Sequence, residues 1–180
     1  MFTRVVAAAI VVFAMSAPAG AGQREDLQVF QDLSRQVLRY PNFTIFDSIN
    51  AQVDDGVVTL TGKVTMPYKR DDIAARVARV DGVRDVRNEL TVLPVSQYDD
   101  ELRFRISRAI YGHSNFWTYG AMVNPPIHVI VEHGRVTLEG VVNSNVDRML
   151  ARSIASSFGA FSVTNNLKTD AEVAHDLEKL

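Results

Sequence analysis

The chain has 180 residues, 47% of them hydrophobic, with 19 basic and 21 acidic side chains and a formal net charge of -2. This is a globular balance, and the absence of any run of Lys or Arg argues against a general polyanion binder, so nucleic acid is not an expected partner. Cysteine is absent, which excludes disulfides, thiolate zinc sites, cysteine nucleophiles and an acylated cysteine anchor.

Residues 1–21 read as a secretory signal. Arg4 supplies the positive start, residues 5–15 are apolar, and residues 16–21 are rich in small side chains. Ala17-Pro18-Ala19 and Ala19-Gly20-Ala21 are both Ala-x-Ala sites, and cutting after Ala21 keeps Pro18 out of the recognition triplet. The apolar run is short of the roughly 20 residues a spanning helix needs. No later segment is apolar enough to span, so the mature chain is expected to be soluble, outside the cytoplasm and without a transmembrane segment.

Residues 26–38 carry Leu27, Phe30, Leu33 and Val37 at helical spacing, predicting a helix with one buried face. Ile49, Ala51 and Val53 then alternate with polar residues, and Val58, Leu60 and Val64 do so after Asp54-Asp55-Gly56. Asp-Gly supplies the positive φ of a tight turn, so a hairpin is expected. Gly62 lies inside its strand, at a bulge or where a helix backbone approaches. Ile73, Val77 and Val80 mark a second helix, Gly82 its C-terminal stop, and Val86, Leu90 and Val92 a last strand. Residues 93–97, with Pro94, form a short join that leaves little room for independent movement.

The same order then recurs. Residues 99–111 carry Leu102, Ile106 and Ile110, Ile127, Val129 and Val131 lead into Glu132-His133-Gly134, and Val136 and Leu138 follow. Leu150, Ile154 and Phe158 mark the second helix, Gly159 its stop, and Val163 and Leu167 the last strand. Residues 55–64 align with 133–142, and residues 82–90 with 159–167, so the mature chain reads as an internal duplication. The expected fold class is α+β: two tandem αββαβ modules, each a three-stranded sheet packed with two helices. The expected boundaries are 1–21 for the signal, 22–95 and 96–169 for the modules, and 170–180 for a tail. Val173, Leu177 and Leu180 give that tail helical spacing, and it either docks as a short helix or frays.

These repeats resemble the BON domain. Gly56, Val58, Leu60, Gly62, Val64, Gly82, Val83, Val86, Asn88 and Leu90 fit its pattern in the first copy. Gly134, Val136, Leu138, Gly140, Val142, Gly159, Val163, Asn165 and Leu167 fit in the second, which departs from it at Ala160 and in an insertion. A signal followed by two such domains is similar to the OsmY-like proteins of the Gram-negative periplasm. The resemblance implies a non-catalytic periplasmic module that binds phospholipid surfaces or envelope proteins and supports the envelope under osmotic stress. The alternative is a stress-induced structural or chaperone-like protein that holds clients through apolar surface.

No residue constellation suggests catalysis or a cofactor. His113, His128, His133 and His175 lack metal-ligand spacing, and His128 is expected to point outward from its strand. Asp54 and Asp55 suit a turn, and no serine stands on a nucleophile elbow. The conspicuous segment is the insertion, residues 116–126, which holds the chain's one tryptophan. Its aromatics either cap the open end of the module core or form an exposed tip. In the second case Phe116, Trp117, Tyr119 and Met122 would enter a lipid interface or partner groove. Arg103, Arg105 and Arg108 on the preceding helix would then meet anionic head groups.

Overall fold

The computed structural model describes residues 21–178, with side chains over 26–176. The expected signal, residues 1–21, falls outside the described residues except for the backbone of Ala21, as do Leu180 and the side chain of Leu177. Helix α1 (Ala21–Leu38) precedes the hairpin β1 (Ser48–Asp54) and β2 (Val57–Val64), then helix α2 (Pro67–Val77) and strand β3 (Asp85–Val92). The second copy runs α3 (Gln97–Tyr111), a single 3-10 turn (Ser114–Phe116), a one-turn helix α4 (Trp117–Gly120), β4 (Ile127–Glu132), β5 (Arg135–Val142), α5 (Asn145–Ser156) and β6 (Ser162–Thr169). Helix α6 (Asp170–Glu178) follows. In each sheet the hairpin is antiparallel and the last strand joins the middle one in parallel. The architecture is therefore the expected pair of αββαβ modules.

Alternation puts Ile49, Ala51, Val53, Val58, Leu60 and Val64 on one face of the first sheet, where they meet Leu33, Val37, Ile73 and Val77. Ile127, Val129, Val131, Val136 and Leu138 meet Leu102, Ile106 and Ile110 in the second. Three details depart from the sequence reading. The buried stripe of α1 is Val29, Leu33 and Val37, and Leu27 is exposed, because Asp26 and not Leu27 faces the hairpin. In α5 the fully buried positions are Ala151 and Ala155, with Leu150 and Ile154 flanking them. Gly62 marks neither a bulge nor a helix approach. The pairing runs through it unbroken, its φ is +124°, and a Cβ there would lie 2.2 Å from the Ser48 carbonyl oxygen of β1.

Two polar devices recur at equivalent places. Each hairpin turn holds two residues with positive φ, Asp55 and Gly56 in one copy and His133 and Gly134 in the other. Such a turn aims its two amides inward, where a buried carboxylate from the first helix of the module receives them. Asp26 accepts from the Asp55 and Gly56 amides at 3.0 and 3.1 Å; Asp99 accepts from His133 and Gly134 at 2.8 and 2.7 Å. The asparagine shared by the last strands ties them to the second helices. Asn88 donates to the Arg70 carbonyl at 3.0 Å and accepts from the Leu90 amide at 3.2 Å; Asn165 does the same with Arg148 and Leu167 at 2.8 and 3.3 Å. This also occupies a backbone donor of a sheet edge that would otherwise invite pairing.

The tail residues form α6, which docks. Lys168 pairs with Asp176 at 2.8 Å, and Glu172 pairs with Arg148 of α5 at 2.9 Å.

Replacing Asp99 by Ala strands two turn amides, one of them buried, and removes charge-assisted hydrogen bonds. Urea denaturation is expected to show a loss of about 2–3 kcal/mol, while the exposed Asp54→Ala changes stability by less than about 0.5 kcal/mol.

Candidate functional site

The insertion of the second module is built on a closed base. The Tyr111 hydroxyl donates to the Ile127 carbonyl at 2.6 Å and accepts from the Ile127 amide at 2.9 Å, so residues 112–126 leave and rejoin the module at one point. Burial pushes the Tyr111 phenol well above its ordinary value, against the effect of the bond to Ile127. Within the insertion, successive residues point about 120° apart in the 3-10 turn and about 100° apart in α4, which divides its aromatics between two environments. Phe116 and Tyr119 are buried, with ring centroids 5.8 Å apart. Trp117 is 73% exposed.

Tyr119 fixes α4 to the start of α5. Its hydroxyl donates to the Asp147 carboxylate at 3.0 Å and accepts from the Asn143 amide at 2.7 Å. Burial pushes its phenol up to about 12; the Asn143 bond opposes that rise and Asp147 adds to it. Trp117 is thus an exposed indole on a rigid mount. Met122 and Val123 are exposed after it, and Val146 and Met149 are exposed one turn apart on α5.

The insertion divides its residues: Trp117 and Met122 are exposed, and Phe116 and Tyr119 are buried. Phe116 and Tyr119 cap the core and are not part of an exposed tip. Arg103 is also corrected: it is buried, donates to the Val131 carbonyl at 3.1 Å and pairs with Asp100 at 3.1 Å. It lies four residues after Asp99, on the helix face turned to the hairpin, and so cannot meet a head group. Arg105 and Arg108 are exposed, and the Arg105 guanidinium stands 5.4 Å from the Phe158 ring centroid. Because α3 and α5 pack side by side, these arginines and Met149 belong to one helical layer.

A second cluster, unforeseen from sequence, joins the modules. Asp47 is fully buried just before β1. Its carboxylate accepts from the Thr44 amide and hydroxyl at 2.9 and 2.7 Å, from the Thr65 amide and hydroxyl at 2.8 and 2.9 Å, and from the buried Lys69 ammonium at 2.7 Å. Burial alone would raise its carboxyl pKa, but Lys69, Thr65 and Thr44 outweigh that and hold it below the ordinary value. The Asp47 carbonyl lies 2.6 Å from Nδ1 of His128 in β4. His128 does point away from its own helices, as expected, yet is buried because the first module covers it. Phe43 lies 5.2 Å from its ring, Phe46 meets Phe104 edge to face at 4.9 Å, and the Val129 amide donates to the Ile45 carbonyl at 2.8 Å. Ser48 bonds Glu139, and Lys63 pairs with Glu132. Beyond these contacts a cleft of about 670 Å³ separates the sheet faces, lined by Asn50, Gln52, Thr59, Thr61, Glu139 and Lys168 among others.

The profile of the BON domain matches residues 26–94 and again residues 99–171. The chain belongs to the BON domain family. Both matched segments begin at the carboxylate that receives a hairpin turn, Asp26 or Asp99. Of the BON-pattern residues, Gly56 and Gly134 serve the hairpin turns, Gly62 the close approach of the Ser48 carbonyl, and Asn88 and Asn165 the strand-to-helix ties. No curated protein matches the chain. Among solved structures, CdsD, a structural protein of the type III secretion system of Chlamydia trachomatis, is similar at 15% identity with a TM-score of 0.30. That alignment covers 84% of this chain and 97% of the CdsD chain. A structure of the CdsD C-terminal domain is similar at 14% identity with a TM-score of 0.29, covering 78% and 96% of the two chains. Among the described residues of this BON-domain protein, no helix is long and apolar enough to cross a membrane.

Two predictions follow from these clusters. Tyr119→Phe removes both hydrogen bonds that mount α4, and is expected to cost about 1–3 kcal/mol and to lower the fluorescence anisotropy of Trp117. Lys69→Met leaves a buried carboxylate without its counter-charge and is expected to cost about 3–5 kcal/mol at pH 7. Because the folded Asp47 pKa is lowered from 3.8, its contribution is complete above that pH and is lost as pH falls through the folded value. The gap between Lys69→Met and wild type in thermal melts should therefore narrow below about pH 4.

Proposed function

We propose that this BON-domain protein is a non-catalytic, peripheral phospholipid-binding protein of the bacterial envelope, exported by removal of residues 1–21, and that it meets the membrane through the helical layer of its second module. The observation that carries this reading is Trp117, 73% exposed on a helix turn anchored by two buried aromatics. An indole gains at a lipid interface because its ring is apolar and its N–H stays hydrated, and a rigid mount lowers the ordering cost of inserting it. Met122, Val123, Val146 and Met149 extend the apolar area, and Arg105 and Arg108 supply positive charge in the same layer.

Each exposed basic residue near an anionic surface contributes about 1 kcal/mol. Two such arginines and one indole make a weak, reversible and salt-sensitive contact. Arg148 adds little, since Glu172 already neutralises it. A supporting role in envelope integrity or osmotic stress is consistent with a surface of this strength.

The test is co-sedimentation of residues 22–180 with anionic and with neutral phosphatidylcholine vesicles at low and high salt. Wild-type protein is expected to pellet with anionic vesicles at low salt, and Trp117→Ala to lose most of that binding without loss of stability. Arg105→Glu with Arg108→Glu should also abolish it, whereas Arg103 variants would act only through folding. Absence of binding to either vesicle would overturn the lipid reading and leave an envelope protein as the partner of this face.

A further inference from the structure

His128 owes its burial to the other module. It stands on the face of β4 turned away from its own helices, and the groups around it come from the first module: the Asp47 carbonyl at 2.6 Å, the Phe43 ring at 5.2 Å and the Thr44 backbone. Separation of the modules would return this imidazole to water and would take from the second hydrophobic core only the Phe46 contact at its margin. We infer that His128 is an acid-sensitive latch, which holds the modules together while neutral and releases them from each other when protonated.

The charged groups around the ring define the window in which this operates. The Asp47 carboxylate lies nearby but is saturated by Lys69, Thr44 and Thr65. Glu139 stands opposite His128 across the β4–β5 pair and is bonded by Ser48. Glu132, farther along β4, pairs with Lys63. Burial holds the His128 pKa below its ordinary value, outweighing the Asp47 backbone bond, the Asp47 charge and the Thr44 backbone bond, which favour an imidazolium. The separated state therefore binds a proton at about pH 6.5, and the docked state does so only at a lower pH. Docking is at full strength above about pH 6.5, and below it the docking constant falls by up to about tenfold per pH unit until the docked pKa is reached. The Asp47 network titrates in a more acidic range, because its carboxyl is held below 3.8, so the two transitions separate on the pH axis.

Release would expose Phe46, now packed on Phe104, together with Ile130 on the open face of β4. It would also open the cleft between the sheets. The latch lies on the sheet faces and the lipid contact on the helices of the second module, so either reading can fail without the other.

The experiment measures three quantities on residues 22–180 between pH 7.5 and 5: the radius of gyration by small-angle scattering, far-ultraviolet circular dichroism, and the His128 ring titration by NMR. Wild type is expected to expand reversibly as pH falls below about 6.5, with unchanged secondary structure and a midpoint that follows the His128 titration. His128→Gln, which can still donate to the Asp47 carbonyl but does not titrate, is expected to stay compact throughout. The inference is overturned if wild type stays compact to pH 5, if the glutamine variant expands at the same pH as wild type, or if dichroism is lost together with compactness. Should the glutamine variant fail to fold, the wild-type data decide alone, since expansion uncoupled from the His128 titration excludes the latch.

Discussion

Asp47 is a carboxylate closed off from water, and the arrangement of the first module against the second rests on how it is satisfied. Its two oxygens gather five donors from the loop before β1, from the turn after β2 and from α2. An ionised carboxylate without such partners would be too costly to bury. With them, the segment 43–48 is tied at both ends of the Asp47 carboxylate and presents the Asp47 carbonyl to His128, Ile45 to the edge of β4 and Phe46 to Phe104. A buried ion pair of this kind adds little net stability over an apolar substitute. Its value here is geometric, since it decides how one module meets the next.

The modules spend buried carboxylates in a second way. Asp26 and Asp99 hold the hairpin turns and thereby fix the register of both sheets, because a two-residue turn sets which strand residues stand opposite. With register fixed, every second side chain of β1, β2, β4 and β5 is committed to a core or to the open face. Open faces are normally solvated. In this chain part of one open face is closed by the neighbouring module, so the interface is polar, contains a cleft, and draws its apolar contacts mainly from residues 43–46.

The functional face follows from the insertion. In the first copy the stretch after α1 is short, and it is used for contact between modules. In the second copy the extra residues form two short turns of helix whose inner aromatics fill the core end and whose outer aromatic stands in solvent. An exposed tryptophan is unusual where burial was sterically available to its neighbours on the same turn. Its mount, the Tyr119 hydroxyl shared between Asp147 and Asn143, relieves an exposed side chain of the need to find its own packing.

Sequence alone determined the duplication, the α+β class, the hairpins with their Asp-Gly and His-Gly turns, and most of the core. Period-2 and helical spacing report which face is apolar, and turn glycines report where φ must be positive; both are local properties. The same local rules misplaced Leu27 and left Phe116, Trp117 and Tyr119 undivided, because a three-residue rotation around a short helix depends on where the helix is pinned. Arg103 could have been placed from its spacing to Asp99, but only the fold shows that this helix face meets the hairpin. The meeting of Asp47, Lys69 and His128 was not legible at all. The first two lie 22 residues apart and the first and last 81 apart, and nothing in their local sequence marks them as partners. Periodicity carries the cores of the modules, whereas contacts between distant polar groups are decided only when the chain has closed on itself.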